Sequence, residues 1–355
     1  MNNIINWLSV YYKFASGKKL VNNSVDIELA NKKLDFFVFA NKYVEKMRAD
    51  GRAKSASNYA STVGNLQKFL KPRERLNFNE ITAAFCYKYH AWMAQSGLGQ
   101  RGQELYLSCL RKIFNDAVLE YNDYDTGEIL ITVNPFVRFK IPTPVFVNNA
   151  ERRALPVETI RQIFAYQPRT AREGLARDIY KLSFCLCGMN AADLYTCERF
   201  DIESKKLIYY RAKTKACRAD GAEMQITIPQ EVEHLFEKYR SNGSKRVFNF
   251  SEKYVNIDSF NIAVNSGGLR KIGEAVKVDR LTLYTARHSW ATIAVNDLNI
   301  PEEQVDDCLA HAPVRKMLRR YVKKDWSKID KANRKVLDYV LGGITSNCCR
   351  QLSLF

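Results

Sequence analysis

Leu283-Tyr284-Thr285-Ala286-Arg287-His288-Ser289-Trp290-Ala291-Thr292 opens an apolar-periodic helix predicted to run over Thr285–Leu298. An arginine in the first turn of a helix faces the positive end of the helix dipole, so Arg287 calls for a reason. Downstream, Leu309-Ala310-His311 closes a predicted helix over Pro301–Leu309, and Tyr321 follows within Leu318-Arg319-Arg320-Tyr321-Val322. Upstream, Gly188-Met189-Asn190-Ala191-Ala192-Asp193-Leu194 follows a predicted helix over Ala171–Cys187. Arg211-Ala212-Lys213-Thr214-Lys215 closes a strand pattern, Lys206–Arg211. After a polar turn through Cys217–Gly221, Glu223–Ile228 alternates as a second strand and runs into Pro229.

Around these segments the remaining pattern is helical. Helices are predicted over Pro156–Tyr166, Gln230–Arg240, Val255–Ala275 and Lys328–Val340. Toward the N-terminus, apolar positions from Ile27 to Met47 recur at helical spacing until Gly51 stops the run, and Ser55 or Ser57 reads as an N-cap for a second helix showing Tyr59, Val63, Leu66 and Leu70. Ile81–Ala94 and Gln100–Tyr121 read as two more helices, and strand alternation first appears at Ile129–Val133. Pro135, Pro142 and Pro144 then punctuate the chain, and the segment after them is extended and polar. The fold class expected is mainly α with a small antiparallel β-hairpin in the C-terminal part. The division expected is a helical module over 1–145 (ordered from about 25 to 140), a linker over 146–155, a second module over 156–341 and a tail over 342–355. Leu352, Leu354 and Phe355 leave that tail apolar at its end.

The chain has 355 residues, more than the ~100–200 of one ordinary domain, which agrees with two modules. Hydrophobic residues make up 46% and charged residues 26%, which excludes wholesale disorder. The formal net charge is +17, and a basic surface of this size favours a polyanion as partner. Leu34–Ala40 is far shorter than the ~20 residues of a membrane span, and Met1–Val10 lacks the pattern of a secretory signal, so no membrane attachment is expected. The nine cysteines form no CxxC pair and only four histidines are present, so neither a zinc site nor another metal is expected, and thiols in a reducing cytoplasm are. No P-loop, no GxGxxG after a strand, no HExxH and no GxSxG occurs, so no nucleotide or other cofactor is implied.

The order of the four motifs resembles the tyrosine recombinases, the phage integrase family. The family signature runs His-x-x-Arg-His-Thr/Ser-Phe/Trp-Ala-Thr, then Leu-Gly-His, then a tyrosine nine or ten residues on. Tyr284–Thr292, Leu309–His311 and Tyr321 follow it in order and spacing. Gly188–Leu194 looks like the family's first motif, and Lys213 like its β-hairpin lysine, with Lys215 as the competing choice. The all-helical N-terminal module is similar to the family's SAM-like core-binding domain. The resemblance implies a two-domain clamp on double-stranded DNA, acting as a homotetramer on paired recombination sites in the cytoplasm, with the nucleoid. The implied activity is site-specific strand exchange through a 3′-phosphotyrosine, in DNA inversion or in mobile-element integration and excision. The short segment before the first helix leaves no room for an arm-type DNA-binding domain, which favours inversion or resolution. The alternatives are a catalytically weakened DNA-binding relative and a type IB topoisomerase-like enzyme.

That chemistry gives each residue type a physical role. Cutting a phosphodiester without water or metal needs a nucleophile that stores the bond as a covalent phosphoester, and Tyr321 is the candidate. A tyrosine phenol ionises near pH ~10 in water, so a neighbouring cation has to ease its deprotonation. Negative charge on the nonbridging oxygens suits a planar guanidinium, and Arg287 is the choice. His311 is assigned a hydrogen bond to the phosphate and Lys213 the protonation of the leaving 5′-oxygen. Arg319 and Arg320 read as backbone-phosphate contacts, Asp193 as a residue that orients an arginine or caps a turn, and His288 as a packing histidine. Two positions depart from the family: Asn190 stands where the first motif carries arginine, and Tyr284 where the second begins with histidine. Both can hydrogen-bond a phosphate but neither brings charge, and one missing donor costs about 2–4 kcal/mol of transition-state stabilisation. Arg177, on the helix leading to Gly188, is the expected replacement cation.

Overall fold

Asp35 starts the first helix by accepting from the amides of Phe37 (2.8 Å) and Val38 (3.1 Å), which satisfies two of the donors that a helix N-terminus leaves unpaired. The computed structural model describes residues 34–144, 153–312 and 321–351, with side chains described to 342. The chain divides into two compact units, 1–147 and 148–355.

The first unit contains α1 (Phe36–Ala49), α2 (Ala53–Leu70), α3 (Ala83–Gln95) and α4 (Gln100–Tyr121), followed by a two-stranded ribbon of β1 (Asn122–Asp123) and β2 (Glu128–Ile129). Its core is aromatic. Phe78 meets Phe36, Phe39 and Phe114 edge-on with ring centroids 5.5–5.8 Å apart, the geometry the ring quadrupole prefers. Two expectations need correction here. Neither Ser55 nor Ser57 caps α2: Gly51, at φ +73°, ends α1 and turns the chain so sharply that α2 begins at Ala53, with Arg52 ahead of it. The strand expected at Ile129–Val133 shrinks to two residues, because the Asn122 side chain takes the amides of Leu130 and Ile131 (3.0 and 2.9 Å) in place of a ladder.

The second unit surrounds α6 (Ala171–Cys185), which follows α5 (Val157–Ala165) and precedes the short α7 (Ala191–Thr196). Next comes an antiparallel sheet of β3 (Arg199–Asp201), β4 (Lys206–Tyr210) and β5 (Glu223–Thr227), with Leu207 opposite Ile226 and Tyr209 opposite Met224 on the buried face. The helices α8 (Gln230–Lys238), α9 (Phe250–Lys253) and α10 (Ile257–Asn261) follow. A π-helical stretch over Ile262–Leu269 then leads into α11 (Arg270–Val276). The unbroken helix expected over Val255–Ala275 is thus interrupted. The π stretch lets Gly268 press on α6 so closely that a β-carbon there would meet the Ala176 Cβ at 2.2 Å and the Arg172 carbonyl at 2.6 Å. Last come α12 (Leu283–Thr292), α13 (Glu302–Cys308) and α14 (Ser327–Gln351).

Buried polar bridges set the positions of these elements. The Trp290 indole of α12 donates to Asn333 of α14 (2.9 Å), whose amide donates to the Cys185 carbonyl at the end of α6 (2.7 Å). Thr227 at the end of β5 donates its amide and hydroxyl to Asp330 of α14 (2.9 and 2.7 Å). The helix expected over Lys328–Val340 continues to Gln351, so much of the expected tail over 342–355 is helical backbone. Leu352, Leu354 and Phe355 lie outside the described residues. Among the described residues no helix is long and apolar enough to cross a membrane.

Candidate active site

Arg287 is 7% exposed and, because α12 begins at Leu283, lies in its second turn and not in the first turn expected from a start at Thr285. Its guanidinium donates to the Gly188 carbonyl (3.0 Å) and to the Leu309 carbonyl, and lies 3.1 Å from His311 Nε2. Backbone turns on either side of the guanidinium make this possible. Gly188 sits at φ +67° and Cys187 at φ 54°, so the backbone after α6 turns its carbonyls toward α12. A β-carbon on Gly188 would stand 2.7 Å from the Arg287 Cα, a gap only glycine leaves open. On the other side Ala310 adopts φ 54° after α13 and aims the Leu309 carbonyl inward. Burial, and next the charge of Arg211, push Arg287 below the ordinary guanidinium range.

Arg211 is the cation that sequence reasoning missed. It donates to the Ala310 carbonyl (2.9 Å), and its buried Nε has no partner among the described residues. Its backbone amide extends the β4–β5 pairing by donating to Ala222 (3.1 Å), and its carbonyl accepts from Thr214 and Lys215 to close the hairpin turn. The signal was present in the strand alternation: Leu207, Tyr209 and Arg211 fall on one face, and the first two are core residues. A guanidinium on the buried face of a strand has to serve some anion or carbonyl. Arg218, from the same hairpin, donates to the carbonyls of His311 (2.9 Å) and Ala310 (3.3 Å) while paired with Asp220, whose carboxyl it holds down at about 2.

Arg177 does not join this cluster. Its guanidinium donates to Asp178 (2.9 and 3.1 Å) and to the Tyr166 carbonyl (3.0 Å). The physical reason is Asp178 itself, a 1%-exposed carboxylate that Arg177, Lys238 and Tyr239 together keep ionised against its burial. Asn190 starts α7 and hydrogen-bonds Asp193, a buried carboxyl raised by its desolvation that also accepts from the Ala212 amide (2.8 Å). Asp193 thereby ties the first motif to the hairpin that carries Arg211.

Tyr284 is half exposed; its ring lies under the Arg153 guanidinium (5.7 Å) and edge-on to His288 (4.6 Å). Burial, then Arg153 and Arg287, keep His288 below the usual imidazole range. Lys213 and Lys215 are exposed on the β4–β5 connection. Tyr321 is 80% exposed, with its phenol in solvent. Arg319 and Arg320 lie outside the described residues. Arg287, Arg211 and His311 therefore form a cluster in which, among the described residues, neither guanidinium makes a salt bridge to a carboxylate. Guanidiniums held by carbonyls and not by carboxylates keep a charge that can stabilise an oxyanion.

The fold is shared with solved integrase and recombinase structures. Residues 35–124 match the family model of the phage integrase SAM-like domain. The chain is similar to a lambda integrase tetramer bound to a Holliday junction (TM-score 0.57, 16% identity, 88% of this chain and 88% of that chain). It is also similar to the Tn1549 transposon integrase in complex with a circular intermediate DNA (TM-score 0.57, 12% identity, 86% of this chain and 99% of that one). A third is the XerH site-specific recombinase bound to palindromic difH substrate (TM-score 0.57, 12% identity, 87% of this chain and 82% of that one). No curated protein sequence matches the chain.

Proposed function

We propose that this protein is a site-specific DNA recombinase that breaks and rejoins strands through a 3′-phosphotyrosine on Tyr321. The observation that carries this is the buried Arg287 with Arg211 and His311 beside it, two guanidiniums fixed by main-chain carbonyls instead of carboxylates. Arg287 and Arg211 stabilise the charge on the nonbridging oxygens, so Arg211 does the work that the family assigns to an arginine at Asn190. Lys213 protonates the leaving 5′-oxygen, with Lys215 beside it on the same loop. Tyr284 hydrogen-bonds the phosphate where the family has histidine, and Arg319 and Arg320 contact the DNA backbone.

The helical module over 1–145 acts as the core-binding domain and the module over 156–341 as the catalytic domain. Together they clamp duplex DNA, and four copies assemble on paired sites near the nucleoid. The +17 charge supports this partner, and a clamp that neutralises six or more phosphates makes binding fall with salt at a log–log slope beyond about −5. A DNA site nicked near the cleavage point tests the chemistry. Wild type is expected to accumulate a covalent adduct, and Tyr321→Phe to bind without forming one. An adduct that survives in Tyr321→Phe overturns the choice of nucleophile. Absence of any adduct with wild type, across candidate sites, overturns the enzyme.

A further inference from the structure

His311 is gripped from two sides. Its Nδ1 lies 2.7 Å from Asp306 Oδ1, and its backbone amide donates to the Asp306 carbonyl (2.9 Å), so one residue of α13 fixes both ring and main chain. Its Nε2 lies 3.1 Å from an Arg287 nitrogen. A guanidinium can only donate and a carboxylate can only accept, so these neighbours together dictate the tautomer. The proton sits on Nδ1 and the lone pair on Nε2. In this state His311 has no proton to give a phosphate, which differs from the donor role expected from the family resemblance.

We infer that Asp306 is a positioning residue for the transfer reaction, holding His311 as the Nδ1–H tautomer so that Nε2 serves as the base for the attacking phenol. This rests on the strand-transfer reading above. A DNA phosphate that draws the Arg287 N–H onto its own oxygens frees the Nε2 lone pair. As the Tyr321 oxygen bonds to phosphorus, its proton passes to Nε2, the P–O5′ bond breaks, and the leaving oxygen takes a proton from Lys213. The resulting imidazolium stays paired with Asp306 and presents its new N–H to the phosphate. Religation runs each transfer backwards, so protons balance over the cycle. The charged groups facing the ring are Asp306 from α13, Arg287 from α12 and Arg211 from the end of β4, while Arg218 holds its carbonyl. Burial and the two arginines favour the neutral ring, and Asp306 opposes them.

Two measurements test this. The first is the 15N spectrum of histidine-labelled protein without DNA, compared with Asp306→Ala to assign His311. A protonated Nδ1 and unprotonated Nε2 are expected, and a protonated Nε2 overturns the inference whether or not the protein cuts DNA. The second is the pH profile of single-turnover adduct formation on the nicked site. Asp306→Ala is expected to slow cleavage by roughly 10-fold or more and to move the acidic limb to lower pH, with Asp306→Glu restoring much of both. An unchanged limb and rate in folded Asp306→Ala overturn the positioning role. A protein that forms no adduct at any pH defeats the strand-transfer reading instead, and the tautomer result still decides Asp306.

Discussion

Gly188 lies against Arg287 so closely that a β-carbon on it would fall 2.7 Å from the Arg287 Cα and 2.8 Å from its Cγ, while its carbonyl accepts from the same guanidinium. The glycine is thus both wall and hydrogen-bond partner of the cation. Gly188→Ala combines a left-handed φ of +67° with a backbone clash, and it is expected to cost about 2–4 kcal/mol of stability. Urea denaturation measures the stability, and adduct formation is expected to fall at least ~10-fold in the folded fraction because the guanidinium is displaced.

Arg211 and Arg177 are expected to separate cleanly. Arg211→Ala should lower cleavage by ~10²–10³-fold and change site binding little, as removal of one transition-state donor does. Arg177→Ala leaves Asp178 with Lys238 and Tyr239 only, so it is expected to cost about 1–3 kcal/mol of stability with normal cleavage by the folded enzyme. Single-turnover rates beside thermal melts distinguish the two. The reverse pattern would return the catalytic role to Arg177.

Ala310 occupies φ 54°, where the family's Leu-Gly-His carries glycine. The left-handed conformation costs alanine about 1–2 kcal/mol, and the greater freedom of unfolded glycine offsets ~0.4–1 of that. Ala310→Gly is therefore expected to raise stability by about 0.5–1 kcal/mol. A lower midpoint in chemical denaturation would show that the alanine methyl contributes packing that outweighs the strain.

His288 and His311 are both held below the ordinary imidazole range, chiefly by burial and then by different neighbours. Protons bind the unfolded chain more readily, so their contribution to stability is full above pH ~6.5 and is lost as pH falls toward their folded values. DNA-free protein is expected to melt at progressively lower temperature between pH 7 and 5. His288→Gln should flatten part of that slope, and an unaltered slope would assign the loss to other groups.

Much of this protein was legible from residue order alone. Gln100–Tyr121 matches α4 end to end because its apolar period is uninterrupted, and the β4–β5 alternation fixes which face of the hairpin is buried. Arg287, His311 and Tyr321 stand out through their resemblance to the tyrosine recombinase signature. The tertiary structure places Arg211, and not Arg177, beside the Arg287–His311 pair, and sets Asp306 against the His311 ring. Arg177 and Arg211 look alike as letters, but a buried Asp178 claims the first, while strand register carries the second to the carbonyl of Ala310. Asp306 and His311 are five positions apart, a separation that specifies no contact in an unfolded chain. Only the left-handed turn at Ala310 brings the carboxylate to Nδ1 and leaves Nε2 to Arg287, because hydrogen-bond direction depends on where the backbone points and not on sequence distance.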